Sequence, residues 1–113
     1  MLTGCGYSKI YSSSEFALLE KADYLSRIDA LDNEIIIDVR TPMEYSRGHF
    51  DNAINISFLG FSFEERAMEL DTSRPVFIYC ETAHRSPYAM GKLKKLGFKK
   101  VYDLKKGYSA LRD

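Results

Sequence analysis

Val76-Phe77-Ile78-Tyr79-Cys80-Glu81-Thr82-Ala83-His84-Arg85-Ser86-Pro87 is the stretch that decides the fold. Its first four residues are apolar or aromatic with no polar alternation, the pattern of a strand buried on both faces. Its last two begin a helix. Ser86 is expected at the N-cap and Pro87 at the first helical position, where a missing N–H costs nothing. Between strand and helix lies a short polar turn that opens with a cysteine. Ligands of open α/β sheets bind at the carboxyl ends of the strands, which puts Cys80 where chemistry is done. Backbone N–H groups of the turn, the positive end of the following helix and the charge of Arg85 all favour a thiolate, the nucleophilic form of cysteine. A lone cysteine after a strand can also be a small core hydrophobe; the loop carrying Arg85, Ser86 and Pro87 favours the reactive reading.

The same grammar repeats along the chain. Ile35-Ile36-Ile37 is a second buried-strand run and ends in Asp38-Val39-Arg40. Thr41-Pro42-Met43-Glu44 follows as a helix start, with Thr41 and Glu44 forming a capping box and Gly48 stopping the helix. Phe16 to Leu19 reads as a short first strand and residues 21–30 as a helix; one long helix over 15–30 is the competing reading. Ala53 to Ile56 reads as a strand. Ser62-Phe63-Glu64-Glu65 suggests a second capping box opening a helix to about Leu70. The helix from Ser86 carries an apolar stripe of Tyr88, Ala89, Leu93 and Leu96 and ends at Gly97. Val101 to Leu104 is a last strand, followed by a short helix toward Leu111. Strands alternating with helices predict an α/β fold, a mainly parallel five-stranded sheet flanked by helices on both faces.

Composition bounds the rest. The 113 residues suit one domain, and 45% hydrophobic with 28% charged residues is an ordinary globular balance that can build a core without staples. Cys5 and Cys80 suggest no disulfide framework, and His49 and His84 form no metal-ligand spacing with them, so neither metal nor cofactor is expected. His49 reads as a structural histidine near a turn. The formal net charge is zero, yet residues 92–113 carry +6 and the remainder −6. This basic segment reads as a solvated face, and a chain without overall basic charge is not expected to bind nucleic acid. No apolar run approaches the ~18 residues of a membrane span. Residues 1–14 read as an irregular arm ahead of a domain over 15–113. Leu2-Thr3-Gly4-Cys5 in that arm is similar to a bacterial lipobox. The cytoplasm is the default compartment; a cell-envelope lipoprotein anchored at Cys5 is the alternative if the lipobox is genuine.

Cys80 to Ser86 resembles the active-site loop of the rhodanese family, usually Cys-x-x-Gly-x-Arg-Ser. Residues 36–56, with Asp38-Val39-Arg40, Glu44-Tyr45 and Gly48-His49-Phe50-Asp51-Asn52-Ala53-Ile54-Asn55-Ile56, resemble the family's upstream signature. Val101-Tyr102-Asp103-Leu104 with Gly107 resembles its C-terminal element. The resemblance implies a rhodanese-like fold and a sulfurtransferase that carries sulfur as a persulfide on Cys80. A small anionic donor such as thiosulfate supplies the sulfur, and a thiol or protein acceptor takes it. The chain is expected to act as a monomer. Glu81, Thr82, Ala83, His84, Arg85 and Ser86 form the substrate loop, His84 facing solvent and Ser86 capping the helix. Asp38 and Arg40 take supporting positions.

The sequence departs from the family pattern at Ala83, Asn52 and Lys106, which replace customary glycines, and at Leu111, which replaces an aromatic residue. Alanine at a position of positive φ costs ~1 kcal/mol. Glu81, if it points inward, opposes thiolate formation and repels anionic donors. Phosphatases that share the fold place five residues between cysteine and arginine. Here four intervene, Glu81 to His84, which favours sulfur over phosphorus. Arsenate reduction by the same cysteine and a non-catalytic binding module also compete with sulfur transfer.

Overall fold

The computed structural model describes residues 15–112; the arm with Cys5 and its lipobox-like motif lies outside the described residues. Five strands form one sheet: β1 (Phe16–Leu19), β2 (Ile35–Asp38), β3 (Ile54–Asn55), β4 (Val76–Tyr79) and β5 (Val101–Leu104). They lie in the order β1-β5-β4-β2-β3, and every pairing is parallel. The helices are α1 (Lys21–Asp29), α2 (Pro42–Ser46), α3 (Phe63–Ala67), α4 (Ser86–Lys95) and α5 (Tyr108–Leu111).

The apolar runs at residues 35–37 and 76–79 are buried on both faces, as continuous hydrophobic strands must be. Ile35, Ile37, Val76, Ile78 and Cys80 turn one way, onto Phe63 and Ala67 of α3 and Ala89, Met90 and Leu93 of α4. Ile36, Phe77, Tyr79, Tyr102 and Leu104 turn the other way, onto Tyr24 and Ile28 of α1. Strand period two thus divides the core between two helical layers.

β2 leads through α2 to β3 on one side, and β4 leads through α4 to β5 on the other. Adjacent strands whose connections leave in opposite directions open a crevice at their carboxyl ends. That crevice lies between the segments after Asp38 and Tyr79, which are register partners.

The first strand and the helix after it form as expected, and the competing single helix over 15–30 does not: Phe16–Leu19 pairs with β5, and Glu20 is extended, with φ −65° and ψ 157°. Three local expectations need correction. The Ser62 box is not made, because Ser62 sits at φ −106° and ψ 19°, outside the extended geometry of an N-cap, and α3 ends at Ala67. β3 pairs at only two residues, not four. Tyr88 leaves the stripe of α4 and is 69% exposed, and buried Met90 takes part in the core instead. The Thr41–Glu44 box is present in full.

Candidate active site

Cys80 follows β4 by one residue and is fully buried. Its Sγ donates to Ser86 Oγ at 3.5 Å. Ser86 does not cap α4: Arg85 occupies the N-cap in helical conformation with no side-chain cap, and Ser86 is the first helical residue. Its hydroxyl donates instead to Asp103 Oδ2 at 2.8 Å. Asp103 is buried within β5 and is in register with Ile78, two residues before Cys80. A residue step of two keeps the same face, so Cys80 and Asp103 both turn toward α4. Sequence reasoning missed Asp103. The available signal was a carboxylate inside an otherwise apolar strand, which must be bonded to be tolerated there.

The loop itself, Glu81 to Arg85, joins the end of β4 to α4. Among the described residues, none of its five backbone N–H groups donates to a carbonyl or a side chain. Nor does any of them bond Sγ, whose hydrogen bond goes to the Ser86 hydroxyl. The loop is held from behind through its carbonyls. Tyr108 N–H donates to Cys80 O at 2.7 Å and Ser109 N–H to Glu81 O at 3.1 Å. Gly107 makes this approach possible, with φ 64° and no Cβ where one would strike the Cys80 and Glu81 carbonyls. Ala83 does have positive φ, 68°, as do Asn52 (67°) and Lys106 (69°). All three replaced glycines therefore stand at left-handed positions.

The side chains of the loop go to different places. Glu81 does not face the sulfur as a free charge: Arg40 Nη1 donates to its Oε1 at 3.0 Å, and Arg112 Nη2 donates to its Oε2. Burial pushes the Glu81 carboxyl up, but these two guanidinium groups hold it below the usual carboxylate range. Arg85 is part-buried against Glu44, 3.1 Å away, so the loop cation is shared with the capping box of α2. Burial works against the Glu44 charge, and the Thr41 N–H and Arg85 outweigh it and lower its pKa. Thr82 and His84 are exposed, with Thr82 Oγ1 3.1 Å from His84 Nδ1, so His84 faces solvent as expected.

Arg40 is 2% exposed and saturated with acceptors. Its Nε and Nη2 bind Asp38, Nη2 also reaches Gly48 O at 2.6 Å, and its guanidinium lies 4.2 Å from the Tyr108 ring centre. Burial opposes this charge, but hydrogen bonds to Asp38 and Glu81 raise its pKa above the ordinary value. The register of β2 on β4, continued two residues past Asp38 and Tyr79, places Arg40 beside Glu81. A cleft of about 310 Å³ adjoins them, lined by Arg40, Glu44, Arg47, Gly48, Glu81, Tyr108 and Arg112. Tyr108 and Arg112 at this mouth were not anticipated from sequence. His49 is exposed, stacked 3.7 Å from Tyr45 and donating from Nδ1 to Tyr45 O.

The family model of the rhodanese-like domain matches residues 20–113. The chain belongs to the rhodanese-like domain family. It is 38% identical over 73 residues to the uncharacterized protein YqhL of Bacillus subtilis, covering 65% of this chain and 56% of that one. It is 34% identical over 84 residues to thiosulfate sulfurtransferase 16 of Arabidopsis thaliana, covering 66% and 70%. It is also 34% identical over 92 residues to the tRNA uridine(34) hydroxylase of Cytophaga hutchinsonii, covering 79% of this chain but 29% of that one. The chain thus spans about half of the Bacillus relative and under a third of the hydroxylase. Among solved structures, the Alr3790 protein from Anabaena superposes with a TM-score of 0.74 at 25% identity, covering 83% of this chain and 75% of that one. The expected rhodanese-like fold, a parallel five-stranded sheet flanked by helices, is the fold observed.

Proposed function

We propose that this rhodanese-like domain is a thiosulfate-type sulfurtransferase working through a persulfide on Cys80. The observation that carries this reading is the run of five uncommitted amides, Glu81 to Arg85, between Cys80 and the N-terminus of α4. Turn amides that converge bind a compact anion, and a helix N-terminus adds to their positive potential.

The Cys80 thiolate attacks the outer sulfur of thiosulfate. A sulfur–sulfur bond forms to Cys80, the donor's own sulfur–sulfur bond breaks, and sulfite leaves with the electron pair. The persulfide anion then gives its terminal sulfur to a thiophilic acceptor, and the Cys80 thiolate returns. Covalent catalysis divides one transfer into two displacements at sulfur. The loop amides hold the terminal sulfur and the donor oxygens. Arg85, drawn partly from Glu44, meets the donor's charge. Asp38 and Arg40 hold Glu81 out of the way and fix the loop. The Arabidopsis relative named for this reaction supports the reading, as does the four-residue spacing from Cys80 to Arg85, one residue tighter than the fold's phosphatases.

Thiocyanate formation from thiosulfate and cyanide tests it. Turnover by the wild type that vanishes in a folded Cys80→Ser variant is the expected result; comparable turnover in that variant contradicts it.

A further inference from the structure

The geometry points to Asp103 as the buried acceptor for the Cys80 proton, reached through the hydroxyl of Ser86. This rests on the reading of Cys80 as the nucleophile, but not on which sulfur donor or acceptor it serves. Three side chains form one line: Cys80 Sγ, Ser86 Oγ at 3.5 Å and Asp103 Oδ2 a further 2.8 Å on. All three residues have no exposed surface.

Ser86 has a single hydroxyl proton. When that proton points to Asp103, the oxygen offers only lone pairs to Cys80. It can then accept from a thiol but cannot stabilise a thiolate. Moving two protons along the line reverses this without moving a heavy atom. The sulfur–hydrogen bond breaks and its proton joins Ser86 Oγ. The original Ser86 proton passes to Asp103 Oδ2. The product is a thiolate accepting from Ser86, and a neutral Asp103 donating to Ser86. One negative charge is present before and after, so no ion is created in the core.

The surroundings allow the charge to move. Tyr24 of α1 lies on the other face of the sheet, where its hydroxyl donates to Ile78 O; burial first, then the charges of Asp103, Tyr79 and Asp38, push its phenol well above its ordinary range. The charge of Asp38 is bound by Arg40. Near Cys80, Glu81 is held by Arg40 and Arg112, and Arg85 by Glu44. Asp103 touches no substrate in this scheme; it is a positioning residue that acts through Ser86.

The test follows alkylation of Cys80 by iodoacetamide against pH, read by mass spectrometry on the peptide carrying Cys80 so that Cys5 does not interfere. The wild type is compared with Asp103→Asn, which keeps an acceptor oxygen for Ser86 but cannot hold the proton, and with Ser86→Ala, which cuts the line. The relay requires both variants to react about tenfold more slowly near pH 6, the factor that one pKa unit represents, and within about twofold of wild type near pH 10. An Asp103→Asn protein that reacts faster near pH 6 overturns the proposal, because Asp103 would then act only as a repelling charge. Equal slowing at both pH values also overturns it, since that reports a displaced loop. If Asp103→Asn does not fold by circular dichroism, Ser86→Ala decides by the same criteria. None of these readings needs sulfur transfer to be detected, so a failed thiosulfate assay leaves this test intact.

Discussion

A Cβ on Gly107 would lie 2.4 Å from the carbonyl oxygen of Cys80. The residue behind Cys80 is therefore fixed by contact as well as by its φ of 64°. This closeness lets the Tyr108 and Ser109 N–H groups bond the Cys80 and Glu81 carbonyls. Gly107→Ala must push α5 away from the loop. Loss of at least about 2 kcal/mol in urea unfolding is expected from the strained backbone alone, together with loss of thiosulfate turnover. Wild-type stability in this variant would mean that α5 does not clamp the loop.

Ala83 gives the opposite sign. It holds φ 68° with a Cβ that resists that conformation. Ala83→Gly should stabilise the protein by about 1 kcal/mol, seen as a melting temperature several degrees higher. Lys106→Gly at φ 69° should act alike, and Asn52→Gly at φ 67° should gain less, because asparagine tolerates the left-handed region. A fall in melting temperature for Ala83→Gly would contradict this account of the loop.

The Glu81 and Glu44 carboxyls are both held below their ordinary range by arginine partners. A lowered folded-state pKa adds stability above the unfolded value of about 4.3 and loses it as pH falls through the folded value. Urea midpoints should therefore drop more steeply for the wild type than for Glu81→Gln between about pH 5 and pH 3. At pH 7 Glu81→Gln should be the less stable protein, since it weakens the ion pairs with Arg40 and Arg112. Parallel pH profiles for the two proteins would show that these pairs do not contribute.

Glu44→Gln separates two duties of one side chain. Glutamine still completes a capping box, so α2 should persist by circular dichroism. Arg85 loses its carboxylate partner and becomes available to an anion. The KM for thiosulfate should fall, while Arg85→Ala should lower kcat/KM by at least about tenfold, the worth of a charge-assisted contact. An unchanged KM in Glu44→Gln would place Arg85 outside donor binding.

The sheet was legible because its signals are local. Residues 35–37 and 76–79 announce buried strands by composition alone, and Thr41, Pro42 and Glu44 announce a helix within four residues. The site was legible in its loop and not in its partners. Arg40 and Glu81 are 41 residues apart, and Ser86 and Asp103 are 17 apart; both pairs exist only once the strands are in register. Ser86 shows why a local rule failed. Serine before proline suits an N-cap, but Asp103 offers that hydroxyl a buried carboxyl oxygen as acceptor, and Arg85 takes the cap position instead. Glu81 looked like a charge beside the sulfur until Arg40 and Arg112 were seen to hold it.

The most direct measurement of the central claim is the mass of the protein after incubation with thiosulfate and removal of the excess without reductant. A persulfide on Cys80 adds the mass of one sulfur atom, about 32 Da, on the ladder of cysteine modifications. The adduct should map to the peptide carrying Cys80, disappear on addition of cyanide, and be absent from Cys80→Ser. An unmodified Cys80 after thiosulfate, in a folded protein whose Cys80 still reacts with iodoacetamide, would contradict a persulfide carrier.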